Sequence, residues 1–186
     1  MHNLISILNT QSFEFLNNAA GYYHPLDLFF VFITSYVTMA FVGVAVLVYF
    51  VFYLPAKAEE GWLRIQAFKN AWKVIVGVFL AWLFTNILKV IVAFPRPFQT
   101  LKHLHVLVSL PESYSFPSAH AAVTMALATG VYFYRRRLGE LLFIFAFAVG
   151  LARIYVGVHY PLDVGVGFLI GYLIPKLLHI KREVVK

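Results

Sequence analysis

The chain has 186 residues, 61% hydrophobic and 12% charged, with a mean hydropathy of +0.79. Soluble domains carry about 25% charged residues, so this composition excludes an ordinary soluble domain and indicates a membrane protein. The net charge of +7 sits mostly at the ends of apolar runs, an orientation signal that argues against a nucleic-acid partner, and the lack of cysteine excludes disulfides, thiolate metal sites and a cysteine nucleophile.

The length fits one membrane-embedded domain over residues 1–186. In Met1 to Ala20, Leu4, Ile5, Leu8, Phe15 and Leu16 recur at roughly helical spacing among Asn, Gln and Ser. That pattern predicts an amphipathic helix lying at the membrane surface. No Lys or Arg precedes Lys57, so the start lacks the basic region of a signal peptide. Tyr22, Tyr23 and His24-Pro25 are expected to form a turn.

Leu26 to Leu54 is the first long apolar run, followed by a polar, charged stretch from Pro55 to Lys69. Further spans are expected over about Ala71–Val92, Ser118–Tyr134, Leu138–Val156 and Pro161–Leu178. The predicted fold is all-α, an integral membrane bundle of about five transmembrane helices plus the interfacial one. With that count, Lys57, Arg64, Lys69, Arg135, Arg136, Arg137, Lys181, Arg182 and Lys186 share one side. The positive-inside rule puts them in the cytoplasm, so Phe94–Pro117 and Gly157–Tyr160 face outward from a cytoplasmic membrane.

Three clusters fall at the outward ends: Lys89 with Arg96-Pro97; Pro117-Ser118-Ala119-His120; and Arg153, His159 and Asp163. Charge within a membrane is expensive and usually faces a polar cavity. Three cations without a carboxylate cluster imply a multiply charged anion, and the arginine fork matches phosphate oxygens. Ser118 precedes an apolar run and reads as an N-cap, where amides and helix dipole favour an anion. His159 and Asp163, four apart around Pro161, suit the first turn of a helix. There the carboxylate can complement the dipole, or hold one imidazole nitrogen and leave the other as a nucleophile.

These clusters resemble the signature of the type 2 phosphatidic acid phosphatases, which share a site with vanadium haloperoxidases. Lys89 and Arg96-Pro97 match the family's Lys, six residues, Arg-Pro. Pro117, Ser118 and His120 match Pro-Ser-Gly-His, with Ala119 in place of Gly. Arg153, His159 and Asp163 match the third motif, with Ala152 in place of Ser.

The resemblance implies that Lys89, Arg96, Arg153, Ser118 and the amide of Ala119 bind phosphate. It implies that His159 attacks phosphorus, Asp163 orients it, and His120 protonates the leaving group. No cofactor and no metal are expected, because the cations already neutralise the phosphate. His103 and His105 with His120 have only Glu112 as a nearby carboxylate, a spacing unlike known zinc sites. With Lys102, those two histidines are expected to touch a head group or solvent.

The expected partners are the bilayer and a membrane lipid phosphate, and no sequence pattern specifies an oligomeric state. Undecaprenyl diphosphate, lipid A 1-phosphate and phosphatidylglycerophosphate are the substrates the resemblance offers, the small size and outward site favouring the first. Two rivals remain: a lipid-to-lipid phosphotransferase, and a non-catalytic anion-binding or transport protein. An oriented nucleophile, which mere binding does not need, argues against the second.

Overall fold

The computed structural model describes residues 4–35, 40, 43–44 and 61–183, and among them every regular element is helical. In chain order these are α1 (Leu4–Asn17), α2 (His24–Ile33), α3 (Gly61–Val92), α4 (Pro97–Thr100), α5 (Ala119–Tyr132), α6 (Arg136–Tyr155) and α7 (Pro161–Glu183).

The expected surface helix forms as α1. Leu4, Ile5, Leu8 and Phe15 are exposed while Phe13 is buried, its ring 5.4 Å from that of Tyr160. The turn expected at Tyr22–Pro25 comes earlier, at residues 18–22. His24 and Pro25 instead open α2, because proline suits a first helical turn, where its missing N–H costs nothing. Of the run Leu26–Leu54, α2 continues to Ile33 and Thr34 ends it; Ala40, Gly43 and Val44 are again helical, and the other positions beyond Ser35 lie outside the described residues.

The polar stretch read as ending at Lys69 is already helical from Gly61. Polarity there marks where the membrane ends, not where the helix does: 32 residues rise about 48 Å, against about 30 Å of hydrocarbon. Among the described residues, three helices are long and apolar enough to cross a membrane, within Phe68–Thr100, Arg136–Tyr155 and Pro161–His179. The expected span Ser118–Tyr134 is shorter than read, a helix of 14 residues rising about 21 Å. Its position explains that. α5 packs against α3, α6 and α7 together, so it is shielded from lipid.

Packing is inside-out relative to a soluble bundle. On α3, Trp72, Phe79, Trp82, Val90 and Ile91 are exposed, while Ala71, Val74, Ala81, Thr85 and Lys89 are buried. Hydrocarbon solvates the large side chains, and small ones let helices close up. α5 presents Ala121, Ala122, Ala126 and Ala128, all fully buried. α7 meets it with two glycines: a Cβ on Gly167 would lie 2.6 Å from the Ser118 carbonyl oxygen, and one on Gly171 would collide with that of Ala122. This close approach sets the start of α7 against the start of α5. The two elements carrying His159–Asp163 and Ser118–His120 are thereby joined.

Candidate active site

α3 delivers Lys89 one turn before it ends, and α4 follows with Arg96 as its N-cap. Lys89 Nζ donates to the carbonyls of Tyr114 (2.7 Å) and Ser115 (3.0 Å). Arg96 Nε donates to the Ser113 carbonyl (2.7 Å), Nη2 to Ser113 Oγ (3.1 Å) and Nη1 to the Val158 carbonyl (2.8 Å). Both side chains are buried. The carbonyls replace part of the water these cations lose. In doing so they bind the segment before α5 to the end of the bundle.

That segment enters α5 through a cis Phe116–Pro117 bond. Ser118 is the N-cap residue as read, but its hydroxyl makes no cap bond. Its Oγ is buried without a hydrogen-bond partner, and its N–H donates to the Asp163 carbonyl (2.9 Å). Simple side-chain capping therefore does not account for this serine.

α6 brings in Arg153, whose Nη1 donates to Thr34 Oγ1 at 3.1 Å. The chain then turns through Gly157 at φ 85°, where a Cβ would also strike the His105 carbonyl. Only glycine meets both demands. The turn puts His159 under the loop, 1% exposed. Its Nδ1 lies 3.3 Å from Asp163 Oδ2. A carboxylate only accepts, so Nδ1 carries the hydrogen and Nε2 keeps its lone pair. Nε2 in turn lies 3.3 Å from Arg96 Nη1, a donor. Burial first, then Arg153, Arg96, Lys89 and His120, push the His159 imidazole well below its usual range, which favours this neutral form.

A cavity of about 440 Å³ opens here, lined by Lys89, Arg96, Ala119, His120, Arg153 and His159, and also by Ala40, Trp82, Asn86, Pro111, Ser113 and Val123. Six of the eight residues predicted from sequence thus share one cavity. Asp163 and Ser118 stand behind it, one against His159 and the other on the Asp163 carbonyl. An imidazole lone pair, three cations and a second histidine around one pocket have the chemistry to bind a phosphoryl group and attack it.

Sequence reading missed several supports. Asp163 Oδ2 accepts from Ser115 Oγ and from the Tyr160 N–H (2.9 Å), so His159 is not its sole partner. Ser113 and Thr34 play like parts for Arg96 and Arg153. The only local signal was three serines in the short stretch Ser113–Ser118. His103 and His105 do not line the cavity. The His105 backbone is held instead by the Asn17 side chain, at 3.0 Å from its N–H and 2.7 Å from its carbonyl. Among the described residues no three His, Asp or Glu gather as a metal site.

Fold and site together define a membrane-embedded phosphate-handling enzyme. Residues 70–183 match the PAP2 superfamily, and the chain belongs to it. Bacitracin transport permease protein BcrC of Bacillus licheniformis is 33% identical over 90% of this chain and 77% of its own. Undecaprenyl-diphosphatase BcrC of Bacillus subtilis is 30% identical over 96% and 88%. The crystal structure of Aquifex aeolicus LpxE superposes with a TM-score of 0.72 at 29% identity, covering 91% of this chain and 93% of that one. A PAP2-type phosphatidylglycerolphosphate phosphatase from Bacillus subtilis shares the fold, with a TM-score of 0.67 at 22% identity over 100% and 90%. The chain is accordingly a lipid phosphate phosphatase of this superfamily.

Proposed function

We propose that the chain hydrolyses a lipid diphosphate, undecaprenyl diphosphate or a close analogue, at the outer face of the cytoplasmic membrane through a phosphohistidine on His159. The observation that carries this reading is the buried imidazole with Nδ1 on Asp163 and Nε2 beside Arg96 at the cavity. His159 Nε2 attacks the terminal phosphorus, and the P–N bond forms as the bridging P–O bond breaks. His120 gives its proton to the departing oxygen, then takes one from the water that cleaves P–N and frees inorganic phosphate. Lys89, Arg96, Arg153, Ser118 and the Ala119 amide hold the equatorial oxygens, where charge grows. No metal is required by this scheme. The relative named for undecaprenyl diphosphate supports the substrate, and the exposed Arg135–Arg137 at the opposite end of the bundle support the sidedness.

Purified chain in chelator-containing buffer should release phosphate from undecaprenyl diphosphate, and vanadate should inhibit it. Activity lost to chelator and restored by zinc would overturn the metal-free scheme. The name of the Bacillus licheniformis relative favours a second reading, transport. Reconstituted vesicles that move an anion yet release no phosphate would establish that one instead. An impermeant thiol reagent on intact cells should label a cysteine at position 105 and spare one at 136; the reverse would move the site to the cytoplasm.

A further inference from the structure

A second cavity, about 390 Å³, lies against the first between the end of α2, the end of α6 and the segment 108–111. It is lined by Val31, Thr34, Ser35, Val108, Ser109, Pro111 and Arg153, and it shares Pro111 and Arg153 with the catalytic cavity. Each cavity falls within the range of about 300–1,000 Å³ usual for small-molecule sites. Arg153 is therefore common to two chambers. Its planar guanidinium carries donors on more than one edge, so it can serve an oxygen on each side.

The chemistry of the second chamber suits an anion attached to an alkyl chain. Three hydroxyl side chains and a guanidinium line it, and among the described residues no acidic side chain does. Thr34 Oγ1 accepts from Arg153, which leaves its own O–H to donate elsewhere. Val31 and Val108 supply apolar surface beside these groups. A phosphate monoester needs only the first chamber. Two polar chambers meeting at one arginine match a ligand with two linked phosphoryl groups.

We propose that this second chamber, through Arg153, Thr34, Ser35 and Ser109, is a subsite for the phosphate that stays on the lipid when a lipid diphosphate is cleaved. The proposal rests on the hydrolase reading and adds to it a reason for diphosphate preference. The terminal phosphate sits by His159 and the retained phosphate sits across Arg153. The bridging oxygen leaves with the retained phosphate, carrying the proton from His120, so the released lipid is a monophosphate. Val31 and Val108 meet its first carbons.

Ser109 is exposed and outside the catalytic machinery, which makes it the position to perturb. The full chain in detergent would be assayed with farnesyl diphosphate and farnesyl monophosphate. Ser109→Asp puts a like charge in the chamber and should raise KM for the diphosphate about tenfold, leaving kcat/KM for the monophosphate within about twofold. Ser109→Ala should shift the same ratio less, in the same direction. Equal losses on both substrates, or no loss on either, would overturn the subsite. So would a change confined to inhibition by inorganic phosphate, which would make the chamber a product exit. Calorimetry with methylenediphosphonate separates this idea from the hydrolase reading, because it needs no turnover. It should bind about tenfold more tightly than methylphosphonate, with Ser109→Asp abolishing the difference; equal affinities in the unsubstituted chain would rule the subsite out.

Discussion

The two ends of the bundle use the same kinds of cation in opposite ways. At the end away from the site Arg135, Arg136 and Arg137 are exposed, and Arg136 pairs with Glu140 at 3.0 Å across open surface. At the site end Lys89, Arg96 and Arg153 are each 6% exposed or less. Lys89 and Arg96 are held by loop carbonyls, and Arg153 by the Thr34 hydroxyl. The first set lies open on the surface, where water can solvate it. Burying the second set costs several kcal/mol per ion unless partners compensate. Carbonyls compensate only in part, being dipoles, and in the proposed scheme a phosphate adds the opposite charge. Burial, not residue type, separates the two sets of cations.

The largest expected effect breaks the site end outright. His159→Ala should abolish phosphoenzyme formation on lipid and aryl substrates alike, read by rapid quench; a phenolate burst retained in this variant would remove His159 as nucleophile. The same centre gives a pH test. A free histidine titrates near 6.5. Because burial and the cations lower the His159 value, its lone pair persists into more acid solution. The acid limb of phosphoenzyme formation on an aryl phosphate should therefore lie below pH 6.5, and a limb at or above it would contradict the electrostatics.

His120→Ala should cost about 10²–10⁴-fold on a lipid phosphate, the usual worth of a general acid. It should cost far less for phosphoenzyme formation from nitrophenyl phosphate, whose leaving group needs little protonation. Equal losses would exclude His120 as that acid.

Ser115→Ala probes the support rather than the chemistry. Asp163 would lose one of its hydrogen bonds and keep the Tyr160 N–H. A hydrogen bond to a charged group is worth about 1.5–3 kcal/mol, so kcat should fall roughly 10- to 100-fold with KM little changed. Ser115→Thr, which keeps the hydroxyl, should recover part of it; no recovery would assign the serine a packing role.

The smallest effect belongs to the end away from the site. Arg136→Ala removes an exposed pair, and such pairs contribute little. Lipid turnover should change by less than about twofold. A larger loss would mean that these distant cations also serve the site.

By itself the sequence determined the class of fold and pointed to the polar residues that gather at one end of the bundle. Continuous apolar runs of about 20 residues bounded by charge read as membrane helices, since a helix bonds its own backbone in hydrocarbon and barrel strands are shorter and alternate. Lys89, Arg96, Ser118, His120, Arg153, His159 and Asp163 were readable because their spacings place rare polar residues at helix ends. Only tertiary structure decided how they are held. Ser115 is 48 residues from Asp163, and Thr34 is 119 from Arg153. Serine and threonine are too common for a local pattern to single them out. The same holds for the central place of α5. Its composition resembles any apolar span, and it is enclosed by the packing of α3, α6 and α7, the last brought close at Gly167 and Gly171. Helix formation depends on neighbours three and four residues away. Burial and hydrogen-bond partnership depend on which distant helix closes over a side chain, and that is settled when the bundle packs.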